Sequence, residues 1–108
     1  MTTFRIIESR RTGVSTSDFV VEVLDGVIAS GDFFSCDEGA VGSFEYRVVS
    51  TEPHASGVIL HCFNWILQDG QFAGQAVTTV RKSAREVARY DRHMQKAGIR
   101  VPPTGTSR

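Results

Sequence analysis

No apolar run in the 108-residue sequence is long enough to cross a bilayer as a helix. Such a span needs roughly 18–20 residues, and the longest stretch here, Val58–Leu67, is interrupted by His61 and Asn64. Cysteine is scarce: Cys36 and Cys62 are too few for a disulfide-stapled secreted scaffold. The opening Met1-Thr-Thr-Phe-Arg lacks the apolar core of a signal peptide. The expected setting is therefore a reducing cytoplasm, with no membrane partner. Net charge is also absent, with 12 Lys and Arg against 12 Asp and Glu, while 22% charged content argues against a disordered chain. No phosphate-cradling G-x-x-x-x-G-K-[ST] loop and no nucleophile elbow occurs, so no cofactor is expected. Cys36, His54, His61, Cys62 and His93 supply metal-ligand residue types, but without C-x-x-C or H-x₃₋₅-H spacing, and no metal is expected. These gaps together argue against an enzyme.

What is present is one domain's worth of apolar residues, 41% of the chain, enough for a single core without staples. The expected domain covers residues 1–100, followed by a frayed tail over 101–108. Its neutral balance conceals two opposite parts. Residues 1–80 hold four basic against ten acidic side chains, a balance of −6. Residues 81–108 hold eight basic against two acidic, a balance of +6. Such segregation bears on association rather than on fold.

The first 80 residues are patterned for strands. Phe4 and Ile6 open the chain with Arg5 interleaved, the polar run Ser9–Asp18 reads as a loop, and Phe19–Leu24 is β-branched and apolar. Phe44, Tyr46 and Val48 alternate with Glu45, Arg47 and Val49, the period of a half-buried strand. Turn signals recur at Asp25-Gly26, Gly31-Asp32, Asp37-Glu38-Gly39, Pro53–Gly57 and Asp69-Gly70. Strands of that length and spacing predict a mostly-β antiparallel sandwich or barrel, of which a small Greek-key-like barrel with a C-terminal hairpin and helix is the expected form. Asp69-Gly70 predicts a two-residue hairpin across Val58–Val80, with Trp65 facing Gly74, His61 facing Thr78 and Ile59 facing Val80. Val58–Leu67 is apolar on both faces apart from His61 and Asn64, so it needs a second cover, either a helix or another subunit.

A helix is predicted over about 84–97. Ser83-Ala-Arg-Glu86 is a capping box, Gly98 suits the position after the C-cap, and Pro102-Pro103 ends any continuation. Val87, Tyr90, Met94 and Ala97 share one face at 3.6 residues per turn. Arg85, Arg89, Arg92 and Lys96 fall within an arc of roughly 60° on the other.

The segment Phe19-Val-Val-Glu-Val-Leu-Asp-Gly-Val-Ile-Ala-Ser-Gly-Asp32 resembles the second-domain β-barrel of translational GTPases of the elongation factor Tu type. Phe4–Glu8 is similar to that family's opening strand, Gly13 lies in the following loop, Gly26 stands as its turn glycine, and Gly31-Asp32 as the closing pair. The resemblance extends over about residues 4–62 and implies a closed antiparallel barrel. The chain departs from it at Glu22, where the family strand carries a small residue, and no tRNA-contacting residue carries over.

The function expected from these features is a non-enzymatic protein-interaction module, self-assembling or docking a protein partner. Its candidate partner-binding residues are Arg85, Arg89, Arg92, Lys96 and Trp65. The alternative is an RNA- or ribosome-associated factor that binds phosphates through the same basic helix.

Overall fold

The computed structural model describes residues 2–37, 39, 42–64 and 72–102. Six strands form one sheet: β1 (Thr3–Arg11), β2 (Thr16–Asp25), β3 (Phe33–Asp37), β4 (Ser43–His54), β5 (Gly57–Phe63) and β6 (Ala76–Thr78), followed by α1 (Ala84–Lys96). The order is β3-β4-β5-β2-β1-β6 with every neighbouring pair antiparallel. Thus β2 and β3 stand three places apart although consecutive in sequence, and so do β5 and β6, as in a Greek key. The two outer strands meet where the Phe33 and Val80 backbones exchange hydrogen bonds of 3.0 and 2.7 Å, leaving a nearly closed barrel. Closure removes most of the exposed edge that an open sheet of this length would present.

Alternation decides what goes inside. Phe4 and Ile6 of β1, Phe19 and Val21 of β2, Phe34 and Cys36 of β3, Phe44, Tyr46 and Val48 of β4, and Leu60 and Cys62 of β5 form one buried cluster with Phe72. Phe34 lies at its centre, edge-on to Phe4 and to Phe19 at 5.2 Å each and stacked on Tyr46 at 5.5 Å. Both cysteines are free and buried, and burial pushes the Cys62 thiol well above its ordinary range.

The Val58–Val80 hairpin expected from Asp69-Gly70 is not the pairing found. The partners of β5 are β2 and β4: His61 lies opposite Asp18 and Ser50 rather than Thr78, and Ile59 opposite Val20 and Glu52 rather than Val80. In turn β6 pairs with β1, Thr78 opposite Thr3. A strand with two apolar faces satisfies a two-residue turn and a place between two other strands equally well, and barrel closure selects the latter. Trp65 and Asp69-Gly70 lie outside the described residues. The polar run Ser9–Asp18 is also mostly strand, because β1 extends to Arg11 and β2 begins at Thr16. Its turn is tightened by Thr12 and Gly13 N–H groups donating to the Thr16 carbonyl, and by Arg11 donating to the carbonyls of Gly13 and Val14.

The seam between β3 and β6 is completed by a side chain. Gln75 Nε2 donates to the Asp37 carbonyl at 2.7 Å, and the Asp37 N–H donates to Gln75 Oε1 at 3.0 Å, so the amide stands in for a strand residue. Gln75→Ala is expected to cost about 1–2 kcal/mol, the net worth of two such bonds. Hydrogen exchange checks this, with the Asp37 amide exchanging faster than those of β1 and β2.

Candidate functional site

The basic helix forms as its capping sequence dictates. Ser83 Oγ accepts from the Glu86 N–H at 3.2 Å, the Glu86 carboxylate accepts from the Ser83 N–H at 3.1 Å, and Gly98 adopts a φ of 74° beyond the C-cap. Those bonds hold the Glu86 carboxyl below its usual range. Met94 is buried, Val87 and Tyr90 are half-buried, and Ala97, expected on the same face, is exposed.

The helix docks on the outside of the barrel through chemistry opposite in sign to its bulk charge. On the outward side, Thr16, Phe63, Arg47 and Phe33 stand opposite one another in a row across β2, β5, β4 and β3. Tyr90 sets its ring edge-on to Phe33 at 5.2 Å, and Asp91 takes a hydrogen bond from Arg47 Nη1 at 3.0 Å. The Arg47 guanidinium lies 5.5 Å from the Phe33 ring and 5.7 Å from that of Tyr90. Burial pushes the Tyr90 phenol up to about 12, so it stays neutral in this clasp. Just before the helix, Lys82 pairs with Glu45 at 3.1 Å and caps the Phe33 ring at 4.8 Å, while Arg81 reaches Asp32 at 3.5 Å.

Phe63 and Phe33 are each 1% exposed within the single chain. The second cover that β5 was expected to need, from a helix or another subunit, is therefore already present within the single chain at this end, and the strand offers no open apolar face there. Val101 and Pro102, expected in a frayed tail, are half-buried; residues 103–108 lie outside the described residues.

Arg85, Arg89, Arg92 and Lys96 all point away from the barrel, exposed, and none makes an ion pair among the described residues. The structure thus brings these four together as one ridge and uses Arg81, Lys82 and Asp91, not the ridge, to hold the helix.

The acidic counterpart lies on the outward side of β1, β2, β5 and β4. Glu8, Val20, Ile59 and Glu52 form one transverse row, and Arg10, Asp18, His61 and Ser50 the next. They border a groove of about 360 Å³ lined by Glu8, Ser9, Arg10, Asp18, Val20, His54 and Ile59. Val20 forms its apolar floor at 7% exposure. His61 is bracketed by two carboxylates, with Nδ1 2.7 Å from Asp18 and Nε2 3.1 Å from Glu52. This bracket was not foreseen from sequence, since its three members lie on three strands. Among the described residues no group of His, Cys, Asp and Glu is arranged to hold a metal ion, and none of their helices is long and apolar enough to cross a membrane.

Burial alone pulls the His61 pKa down, but the hydrogen bonds and charges of Asp18 and Glu52 more than reverse this, leaving it raised above 6.5. Because the folded value lies above the unfolded one, the bracket stabilises fully at pH values below 6.5. That contribution is lost as pH rises through the folded value. His61→Gln should therefore lower Tm more at acidic than at alkaline pH, which paired thermal melts across the neutral range would measure.

Comparison with protein-family models, curated proteins and solved structures returns no match to the chain.

Proposed function

We propose that the protein is a non-enzymatic interaction module of the cytoplasm, whose basic helix docks on an acidic protein surface, first of all the outer strand face of a second copy. The observation that carries this reading is the ridge itself: four cations on one exposed face, spaced three and four residues apart and without ion pairs among the described residues. Like charges at that spacing destabilise a helix, and the clasp to the barrel does not use them. The groove bounded by Glu8, Asp18 and Glu52 supplies matching negative charge on the same chain. A zero net charge removes the long-range repulsion that keeps other proteins apart. Ridge on groove is a head-to-tail contact between unlike patches. The two buried free thiols suit a reducing compartment.

Sedimentation velocity tests this. At about 0.01 M salt, where the screening length is roughly 30 Å, the weight-average mass should rise with protein concentration. At about 1 M, where that length falls to roughly 3 Å, a monomer should remain. A monomer at every concentration in low salt would refute self-docking. His61 lies beside the groove and takes up positive charge on protonation, so association should tighten as pH rises through its pKa, with Glu8, Asp18, Glu52, Arg10 and His54 the other charged or titratable groups around it.

A second reading, an RNA- or ribosome-associated factor on a barrel of the translational-GTPase second-domain type, is favoured by the turn backbone. Gly26 and Gly31 take φ values of 84° and 93° at the positions the resemblance assigns to glycine. It requires steeply salt-dependent RNA binding that falls with Arg85→Ala plus Arg89→Ala. The acidic barrel opposes an approaching phosphate backbone, which puts protein docking first.

A further inference from the structure

A second site is formed where α1 ends. The positive φ of Gly98 reverses the chain, and Ile99 N–H donates to the Met94 carbonyl at 2.9 Å. The residues that follow then border an open cavity of about 540 Å³ lined by Arg47, Asp91, Gln95, Ile99, Arg100, Val101 and Pro102. That volume lies within the roughly 300–1,000 Å³ of small-molecule sites.

Its chemistry is asymmetric. Arg47 is 8% exposed and its Nε, fully buried, has no hydrogen-bond partner. Among the described residues, its only side-chain hydrogen bond runs from Nη1 to Asp91, whose carboxylate is half exposed. The flanking Phe33 and Tyr90 rings confine the guanidinium, so it is positioned before any ligand arrives. Arg100 adds a second guanidinium and Gln95 an amide, against the single acid Asp91. Ile99, Val101 and Pro102 make the rest of the lining apolar. Two guanidiniums facing one carboxylate leave a positive balance, and an arginine fork accepts a carboxylate through paired hydrogen bonds.

We infer that this cavity binds a small carboxylate with an apolar tail, its head group held by Arg47 and Arg100 and its tail laid on Ile99, Val101 and Pro102. None of the four ridge cations lines the cavity, so the site stands or falls separately from the docking ridge.

The test is a titration followed by NMR of the arginine Nε–H and side-chain methyl signals, using hexanoate, hexanol and inorganic phosphate as probes. Hexanoate should give saturable shifts at Arg47, Arg100, Ile99 and Val101 in about the millimolar range expected for so small a ligand. Hexanol should give none, and phosphate should bind at least tenfold more weakly. Arg100→Gln, an exposed substitution that leaves the Tyr90–Phe33 contact in place, should weaken hexanoate about tenfold without lowering Tm. A flat hexanoate response, phosphate binding as tightly as hexanoate, or an affinity indifferent to Arg100→Gln would each overturn the inference.

Discussion

Phe34→Ala is expected to destabilise the barrel by about 3–5 kcal/mol, the usual cost of truncating a buried phenylalanine. Phe34 is 1% exposed and touches three other rings, Phe4 and Phe19 edge-on and Tyr46 stacked. These belong to β1, β2 and β4, so a single truncation loosens three neighbours at once. The favourable edge geometry is lost together with the buried area. A small domain has only about 5–15 kcal/mol of total stability, so the variant should melt roughly 10–25 °C lower. Thermal and denaturant unfolding measure this directly. A loss below about 1 kcal/mol would mean that the ring cluster is not the centre of the core.

Neutralising the ridge, Arg85, Arg89, Arg92 and Lys96 all to Gln, should act in the opposite sense on stability and strongly on association. Arg85 and Arg89, Arg89 and Arg92, and Arg92 and Lys96 are like-charge neighbours on an exposed helix face. Each such pair costs a helix about 0.2–0.5 kcal/mol, so Tm should hold or rise slightly. Partial loss of the favourable Glu86–Arg89 proximity limits that gain. Exposed charge pairs each contribute about 0.2–1 kcal/mol, and losing four should weaken self-association by about tenfold to a hundredfold. A purely solvated ridge would give the stability change with no change in association. The combination of unaltered or improved folding with lost docking is the mark of residues kept for binding at some cost in stability.

The parts legible in the sequence were those determined locally. The capping box at Ser83 and Glu86 and the glycine at 98 bound the helix within one residue of its expected end. Helical periodicity then separated Met94 from the ridge. The alternation of Phe44, Tyr46 and Val48 gave the inner face of β4 correctly, and the density of strands and turns pointed to an antiparallel sandwich or barrel, of which the barrel is found. Partner choice was the part that alternation does not encode. Val58–Phe63 shows the same pattern whether its neighbours are β2 and β4 or a hairpin mate, and only closure of the whole sheet distinguishes them. The polar residues Ser9–Arg11 and Thr16–Asp18 have the composition of a loop yet lie on strands, because barrel rims carry polar side chains on strands as readily as turns do. The same non-locality hid the functional geometry. Arg47 looked like one polar residue in an alternating strand, yet it lies beneath Tyr90 and pairs with Asp91, 44 positions away. His61 required Asp18 and Glu52 from two flanking strands. Gln75 had no signal at all, since an amide replacing a strand rung is visible only once both edges are placed.

Charge exchange between two variants tests the docking account most directly. One variant carries Arg85→Glu and Arg89→Glu, the other Glu8→Lys and Glu52→Lys, all at exposed positions. Each alone should sediment as a monomer at low salt, because the first cancels the positive charge of the ridge and the second reverses the negative charge of the groove. Mixed in equal amounts, they should regain an assembly, because the unaltered ridge of the second variant meets the unaltered groove of the first, with the salt dependence of the unmodified protein. Two variants that associate as the parent does, or that stay monomeric when mixed although the parent self-associates, would contradict the pairing of ridge and groove.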